Sequence, residues 1–215
     1  MKRIFSILTV IIMLLTIVFT ATSCDRDYDE EEVLTAAGSL LRKAQTLNEI
    51  YYGRGLMCDE LSVESVGSYR LVLDEELEKY GINTLDDIKV MTRNVFTAGC
   101  SSEIINTRLD SIYDANGEII YQARYIEHSP GTDKEKFIYV DPNYTVLMTD
   151  TIEYYFDTVK VKDVEELYIY MSVEAKITNQ NGDSRMREIE FTMLEEESGW
   201  RLDSLTFAVY EEVKK

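Results

Sequence analysis

Between residues 166 and 177 the chain sets Leu167, Ile169, Met171, Val173, Ala175 and Ile177 at every second position. Strict alternation is the period of a strand with one buried face, and a helix cannot use it. Asn181-Gly182-Asp183 is a turn signal that sends the chain back into a second run over residues 185–194. A third run precedes them over residues 151–161, and residues 200–210 make a last strand. In that last strand Trp200 and Leu202 share one parity while Leu205, Phe207 and Val209 share the other, so a bend is expected near Asp203-Ser204. Shorter strands are expected at residues 137–140 and on both sides of Asn116-Gly117, a strong hairpin turn.

The first half of the chain has another period. Over residues 31–52, Val33, Ala37, Leu40, Ala44, Leu47 and Tyr51 recur at three- and four-residue steps, Leu41 and Ile50 widen the stripe, and Gly53 and Gly55 stop it. Thr84 with Asp87 three residues later is a helix-start pattern, with Leu85, Ile88, Met91 and Val95 turned inward. A further short helix is expected after Gly99, capped by Ser101 or Ser102, with Ile104, Ile105 and Leu109 inward. Residues 56–68 read as a loop, Tyr69, Leu71 and Leu73 as a short strand, 74–79 as a charged turn, and 128–135 as a polar loop. Helices first and a long meander after them predict a single α+β domain over residues 33–215, its N-terminal helices packed on a curved antiparallel sheet.

The domain is preceded by an address. Lys2 and Arg3 form a positive start, residues 4–19 are apolar apart from Ser6, Thr9 and Thr16, and Ala21, Thr22 and Ser23 are small residues just before Cys24. This is a secretory signal over residues 1–23, and a cysteine directly after the small residues is what lipoprotein processing requires. Cys24 is therefore the expected lipidation site, with plain secretion and a retained helix as the alternatives. The apolar run falls just short of the roughly 20 residues that span a bilayer. Acyl chains on Cys24 would hold the protein firmly, at about 0.8 kcal/mol per buried methylene. The expected place is the outer face of the cell membrane. Residues 24–32 then form a lipidated, strongly acidic tether.

Loss of residues 1–23 takes away Lys2 and Arg3, so 22 Lys+Arg become 20 against 40 Asp+Glu, a net charge of −20. Such a balance excludes nucleic acid and anionic lipid as natural partners and suits a basic partner, a cationic ligand or plain solubility. Cys58 and Cys100 remain after Cys24; an exported pair could form a disulfide or stay as two buried thiols. Two cysteines and His128, the single histidine, do not make a zinc site.

Little in the chain points to catalysis. His128 lies in a polar loop beside Ser129, with no nucleophile-elbow pattern around it. Cys100 precedes a helix start, which can lower a thiol pKa, but has no histidine near it in sequence. Acid runs at residues 74–76, 163–166 and 195–197 suit solvated turns, and no phosphate loop or calcium loop is present, so no cofactor is implied. Tyrosine is the remaining signal. Tyr168 and Tyr170 alternate with Leu167 and Ile169, which puts them on the opposite, partly exposed face, and tyrosine suits recognition because it buries area while keeping a polar tip.

The run Thr84-Leu85-Asp86-Asp87-Ile88-Lys89, then Val95-Phe96, Ser101-Ser102-Glu103-Ile104-Ile105 and Asp114-Ala115-Asn116-Gly117-Glu118-Ile119-Ile120-Tyr121, resembles small bacterial lipoproteins grouped with the D,L-endopeptidase inhibitor family. The ending Glu197-Ser198-Gly199-Trp200-Arg201-Leu202-Asp203-Ser204-Leu205 resembles the last strand of nuclear-transport-factor-2-like domains. The resemblance implies a cone-shaped, cystatin-like sheet wrapped around helices, and a protein that blocks cell-wall hydrolases through an acidic cleft. It carries over no binding residue. The expected function is thus a membrane-anchored, non-enzymatic binding module whose partner is a protein, such as a cell-wall hydrolase. The alternatives are a ligand-binding or enzymatic domain using the interior of the cone, and an accessory subunit of an envelope complex.

Overall fold

The computed structural model describes residues 28–59, 65–110, 112–113, 119–121, 123–130, 136–143, 151–179 and 181–204. Cys24 and its signal, most of the acidic tether, the Asn116-Gly117 turn and residues 205–210 of the expected last strand lie outside the described residues.

Helix α1 is Glu30–Tyr51. Asp29 caps it by accepting hydrogen bonds from the Glu31 and Glu32 N–H groups at 3.0 and 3.2 Å, and Glu30, Glu31 and Glu32 place negative charge on the positive end of its dipole. Its buried stripe of Val33, Ala37, Leu40, Leu41, Ala44, Leu47, Ile50 and Tyr51 is the one the sequence predicts. Strands β1 (Ser65–Val66) and β2 (Tyr69–Leu71) follow. Then come three helices, α2 (Asp74–Tyr80), α3 (Leu85–Arg93) and α4 (Ala98–Arg108). The hairpin strands β3 (Ile112–Tyr113) and β4 (Ile119–Tyr121) pair antiparallel. After them come β5 (Tyr125–His128) and β6 (Phe137–Val140). The chain then runs through β7 (Thr151–Glu165), β8 (Tyr168–Thr178), β9 (Ser184–Glu196) and β10 (Gly199–Leu202).

The result is α+β, with helices against a curled antiparallel half-barrel sheet. The large sheet has the order β10-β9-β8-β7, every neighbour antiparallel. A smaller sheet has the order β1-β2-β6-β5. The inner face of the large sheet carries Ile152, Tyr154, Ile169, Met171, Val173, Ala175, Ile189, Phe191 and Met193 into one core with the α1 stripe. Ala37 and Ala44 on α1 and Ala175 on β8 are fully enclosed there; small side chains let a helix and a sheet approach closely.

Two contacts hold the helical layer in place. The first joins the α3–α4 turn to the sheet edge. Phe96 and Leu202 form an isolated parallel bridge, in which the Leu202 N–H donates to the Val95 carbonyl at 2.8 Å and the Thr97 N–H donates to the Leu202 carbonyl at 3.0 Å. The second closes the end of α1. Arg124, 3% exposed, donates from Nη1 to the Ile50 carbonyl at 3.1 Å and from Nη2 to the Gly53 carbonyl at 2.9 Å. Tyr125 Oη donates to the same Ile50 oxygen at 2.7 Å and accepts from the Leu56 N–H at 3.1 Å. These groups answer the carbonyls that any helix leaves orphaned at its C-terminus. Gly55 has φ +78, and a Cβ there would collide with Arg124 and Tyr125, so the expected stop signal is also a steric requirement.

Several expectations change. Residues 74–79 are a helix rather than a turn: acids at Asp74, Glu75 and Glu76 open it, Lys79 closes it, and Gly81 at φ +66 ends it. Helix α4 starts at Ala98 with Thr97 at the cap position, a turn earlier than a Ser101 or Ser102 cap allows. Thr97 is fixed there by the Leu202 carbonyl and by a 2.6 Å bond from its Oγ1 to Asp203, while Ser101 is buried and bonds back to the Ala98 carbonyl. Strand β5 covers residues 125–127, for which the sequence predicts no element, and His128, the first residue of the expected polar loop. Leu167 leaves the buried row of β8 because β7 runs on to Glu165 and turns at Glu166, whose φ is +35. The Thr84 and Asp87 pair forms the expected reciprocal capping box.

Candidate functional site

The functional geometry begins with an interruption in β7. Tyr155 pairs with Glu174, yet the next pair is Lys160 with Ser172, so residues 156–159 have no room in the ladder and bulge. Thr158 ties the bulge down: its Oγ1 donates to the Tyr155 carbonyl at 2.6 Å and accepts from the Glu174 N–H at 2.9 Å. Bulges re-aim side chains and bend the strand. Phe156, at the start of the bulge, keeps the inward parity of Ile152 and Tyr154 and meets α1.

Against Phe156 lies Arg42, with its guanidinium carbon 4.4 Å from the ring centroid. Phe156 and the α1 face of Glu30, Glu31, Leu34, Thr35, Gly38 and Arg42 line an open groove of about 660 Å³. Leu34 and Phe156 form its half-buried apolar floor, Arg42 stands at one end and Glu30 and Glu31 at the other. Interior to the groove, the space between α1 and the sheet is filled by the core residues named above.

The outer face of the large sheet is the second feature. Tyr168 and Tyr170 are 38% and 37% exposed, and Leu167 and Met186 are 57% and 54% exposed. The sequence thus places the tyrosine pair on the correct face. Tyr170 Oη donates to Glu165 Oε2 at 3.2 Å, and that hydrogen bond to the carboxylate, reinforced by its charge, holds the phenol above its usual range. Further along, Glu188 Oε1 pairs with Lys160 at 3.0 Å and with Lys162 at 3.3 Å. The Ser172 hydroxyl and these two lysines pull the Glu188 carboxyl down to about 2.

The sign of the Glu188 linkage follows. A folded carboxyl held below its ordinary value of 4.5 contributes stability above pH 4.5, and the contribution is lost as pH falls towards 2. Carboxyl-carbon NMR of the folded protein should show Glu188 titrating near 2, and the double change Lys160→Met with Lys162→Met should return it towards the ordinary range. A midpoint above 4 in the parent protein would contradict the pairing.

The remaining residues singled out in the sequence are dispersed. Cys58 bridges antiparallel to Val72, Cys100 lies in the first turn of α4, and both are half-buried thiols outside any disulfide. Of the two states open to them, the disulfide is not the one adopted. Burial pushes the Cys100 thiol up, and Asp203 and Glu103 add to this against a hydrogen bond with Thr97; the helix start does not activate it. His128 ends β5 and sets its ring edge-on to Tyr139 at 6.0 Å. Tyr125, Tyr139 and Tyr154 are core residues rather than surface ones. Among the described residues no group of three or more His, Cys, Asp or Glu side chains is gathered to hold a metal ion, and no helix is long and apolar enough to cross a membrane.

Arg42 and Phe156 escape the sequence reading. Neither stands out in a motif, and their contact joins elements more than a hundred residues apart in the chain. No protein-family model, curated protein or solved structure matches the chain.

Proposed function

We propose that this chain is a lipid-anchored binding module on the outer face of the cell membrane, held by Cys24, and that it acts by recognition rather than catalysis. One observation carries this reading. The inner sheet face is consumed by the core, while Tyr168 and Tyr170 on the outer face and Leu167 in the β7–β8 turn are exposed at one end of the sheet. Amphipathic aromatic side chains with a free apolar neighbour are the usual anchors of a protein interface. The fold is read as the nuclear-transport-factor-2-like cone, and the partner as a basic cell-wall hydrolase that the module restrains; the resemblance supports both, and the acidic charge supports the partner.

The test titrates a soluble fragment of residues 25–215 into a peptidoglycan D,L-endopeptidase at low and moderate salt. Inhibition that weakens with salt is expected, and the double change Tyr168→Ser with Tyr170→Ser should weaken it by about tenfold or more. Absence of inhibition at high micromolar fragment would remove the hydrolase as partner. Anchoring is read separately, since Cys24→Ser should move the protein from the membrane pellet to the soluble fraction.

A further inference from the structure

We propose that the groove between α1 and the β7 bulge is a binding site for a short extended peptide with a free carboxylate at one end and a basic residue at the other. The site lies apart from the exposed tyrosines, and the inference does not depend on the reading given above.

Arg42 supplies the first argument. Its guanidinium is stacked on Phe156 at 4.4 Å, and among the described residues no oxygen accepts a hydrogen bond from it and no carboxylate pairs with it. The ring holds the guanidinium at the groove wall, with Nη1 beside Gly38, and a guanidinium with no acidic partner can receive a carboxylate in two parallel bonds.

Gly38 supplies the second. It sits in the interior of a 22-residue helix, where glycine is a poor helix former. Packing does not ask for it: a Cβ there would meet Arg42 Nη1 at an ordinary 3.7 Å and nothing closer. Gly38 is itself buried; what the missing side chain provides is room for the Arg42 guanidinium to lie close against the groove wall, and close approach to the backbone is one of the few uses of glycine at such a position.

Charge and length set the ligand. Glu31, Thr35, Gly38 and Arg42 follow one another at four, three and four residues, which is a single helical face. Eleven residues of helix from Glu31 to Arg42 rise about 16 Å, the reach of roughly five extended residues. Glu30 and Glu31 at the far end suit a lysine side chain or a free amine. Leu34 and Phe156 between them suit an apolar residue. A single small anion would engage Arg42 and leave the rest of the groove empty. A fatty acid would set its tail against two carboxylates.

The probe is the pentapeptide Lys-Ala-Leu-Ala-Ala with a free C-terminus, titrated calorimetrically into the mature full-length protein in detergent, beside the same peptide amidated at its C-terminus. The free acid should bind below millimolar concentration and the amide about tenfold more weakly. Arg42 is exposed, so Arg42→Gln keeps the fold; it should abolish the difference between acid and amide. Glu30→Gln with Glu31→Gln should weaken the free acid while leaving its preference over the amide intact. Gly38→Ala should leave the unfolding temperature at or above that of the parent and reduce affinity. Equal binding of acid and amide, no binding up to millimolar peptide, or an Arg42→Gln variant that still discriminates would each overturn the assignment.

Discussion

Replacing Phe96 with alanine is expected to remove about 3–5 kcal/mol of stability, the range for a fully buried phenylalanine. Phe96 is 1% exposed and sits where the α3–α4 turn meets β10. The backbone bonds on either side of it, from Leu202 to Val95 and from Thr97 to Leu202, are held at fixed spacing, so the cavity left by the ring cannot collapse without breaking them. For a chain of this length each kcal/mol moves the midpoint by about 2–4 °C, so thermal melting should fall by roughly 10 °C. Amide exchange adds a local readout: the Leu202 N–H should lose protection beyond the global change. A shift of less than about 2 °C would mean that the junction does not carry the helical layer.

Arg124→Ala is the second large effect. Two carbonyls, the buried one of Ile50 and the part-buried one of Gly53, lose donors at 3.1 and 2.9 Å, and the Ile50 oxygen keeps a single donor in Tyr125. A buried acceptor left without a partner costs about 1–3 kcal/mol, so the total should be about 2–4 kcal/mol. Arg124→Lys should recover less than half, because one ammonium cannot reach two carbonyls from a planar fork. Urea unfolding measures this through the midpoint at constant slope. The same cluster has an alkaline signature. Burial pushes the Tyr125 phenol up to about 12 from its ordinary value of 10.0. Its neutral hydroxyl therefore supports the fold below pH 10, and that support fades as pH rises from 10 to about 12.

How far these features were legible depends on how local their causes are. The α1 stripe, the Thr84 and Asp87 capping box and the β8 alternation all follow from residues within a few positions of one another, and each stands where the sequence puts it. The α4 start was misplaced because Leu202 and Asp203, more than a hundred residues away, decide it. Leu167 was misassigned because alternation does not say where a strand turns. Helix α2 was hidden by its shortness and by acids that read equally well as a solvated turn. The tyrosine face was visible because parity alone determines it. The groove was not, since it needs both a bulge in β7 and a glycine in α1, neither of which has a period.

The two junctions also govern when the protein can fold. Arg124 reaches Ile50 across 74 residues, and Thr97 reaches Asp203 across 106. Loop closures of that span come late and slowly in folding. An emerging chain therefore holds α1 with an open C-terminal end until β5 arrives, and α3 and α4 without a mooring until β10 arrives. Consolidation waits for the last described strand and then involves the whole molecule together. A chain cut anywhere before Leu202 should leave its helices undocked rather than yield a smaller stable unit.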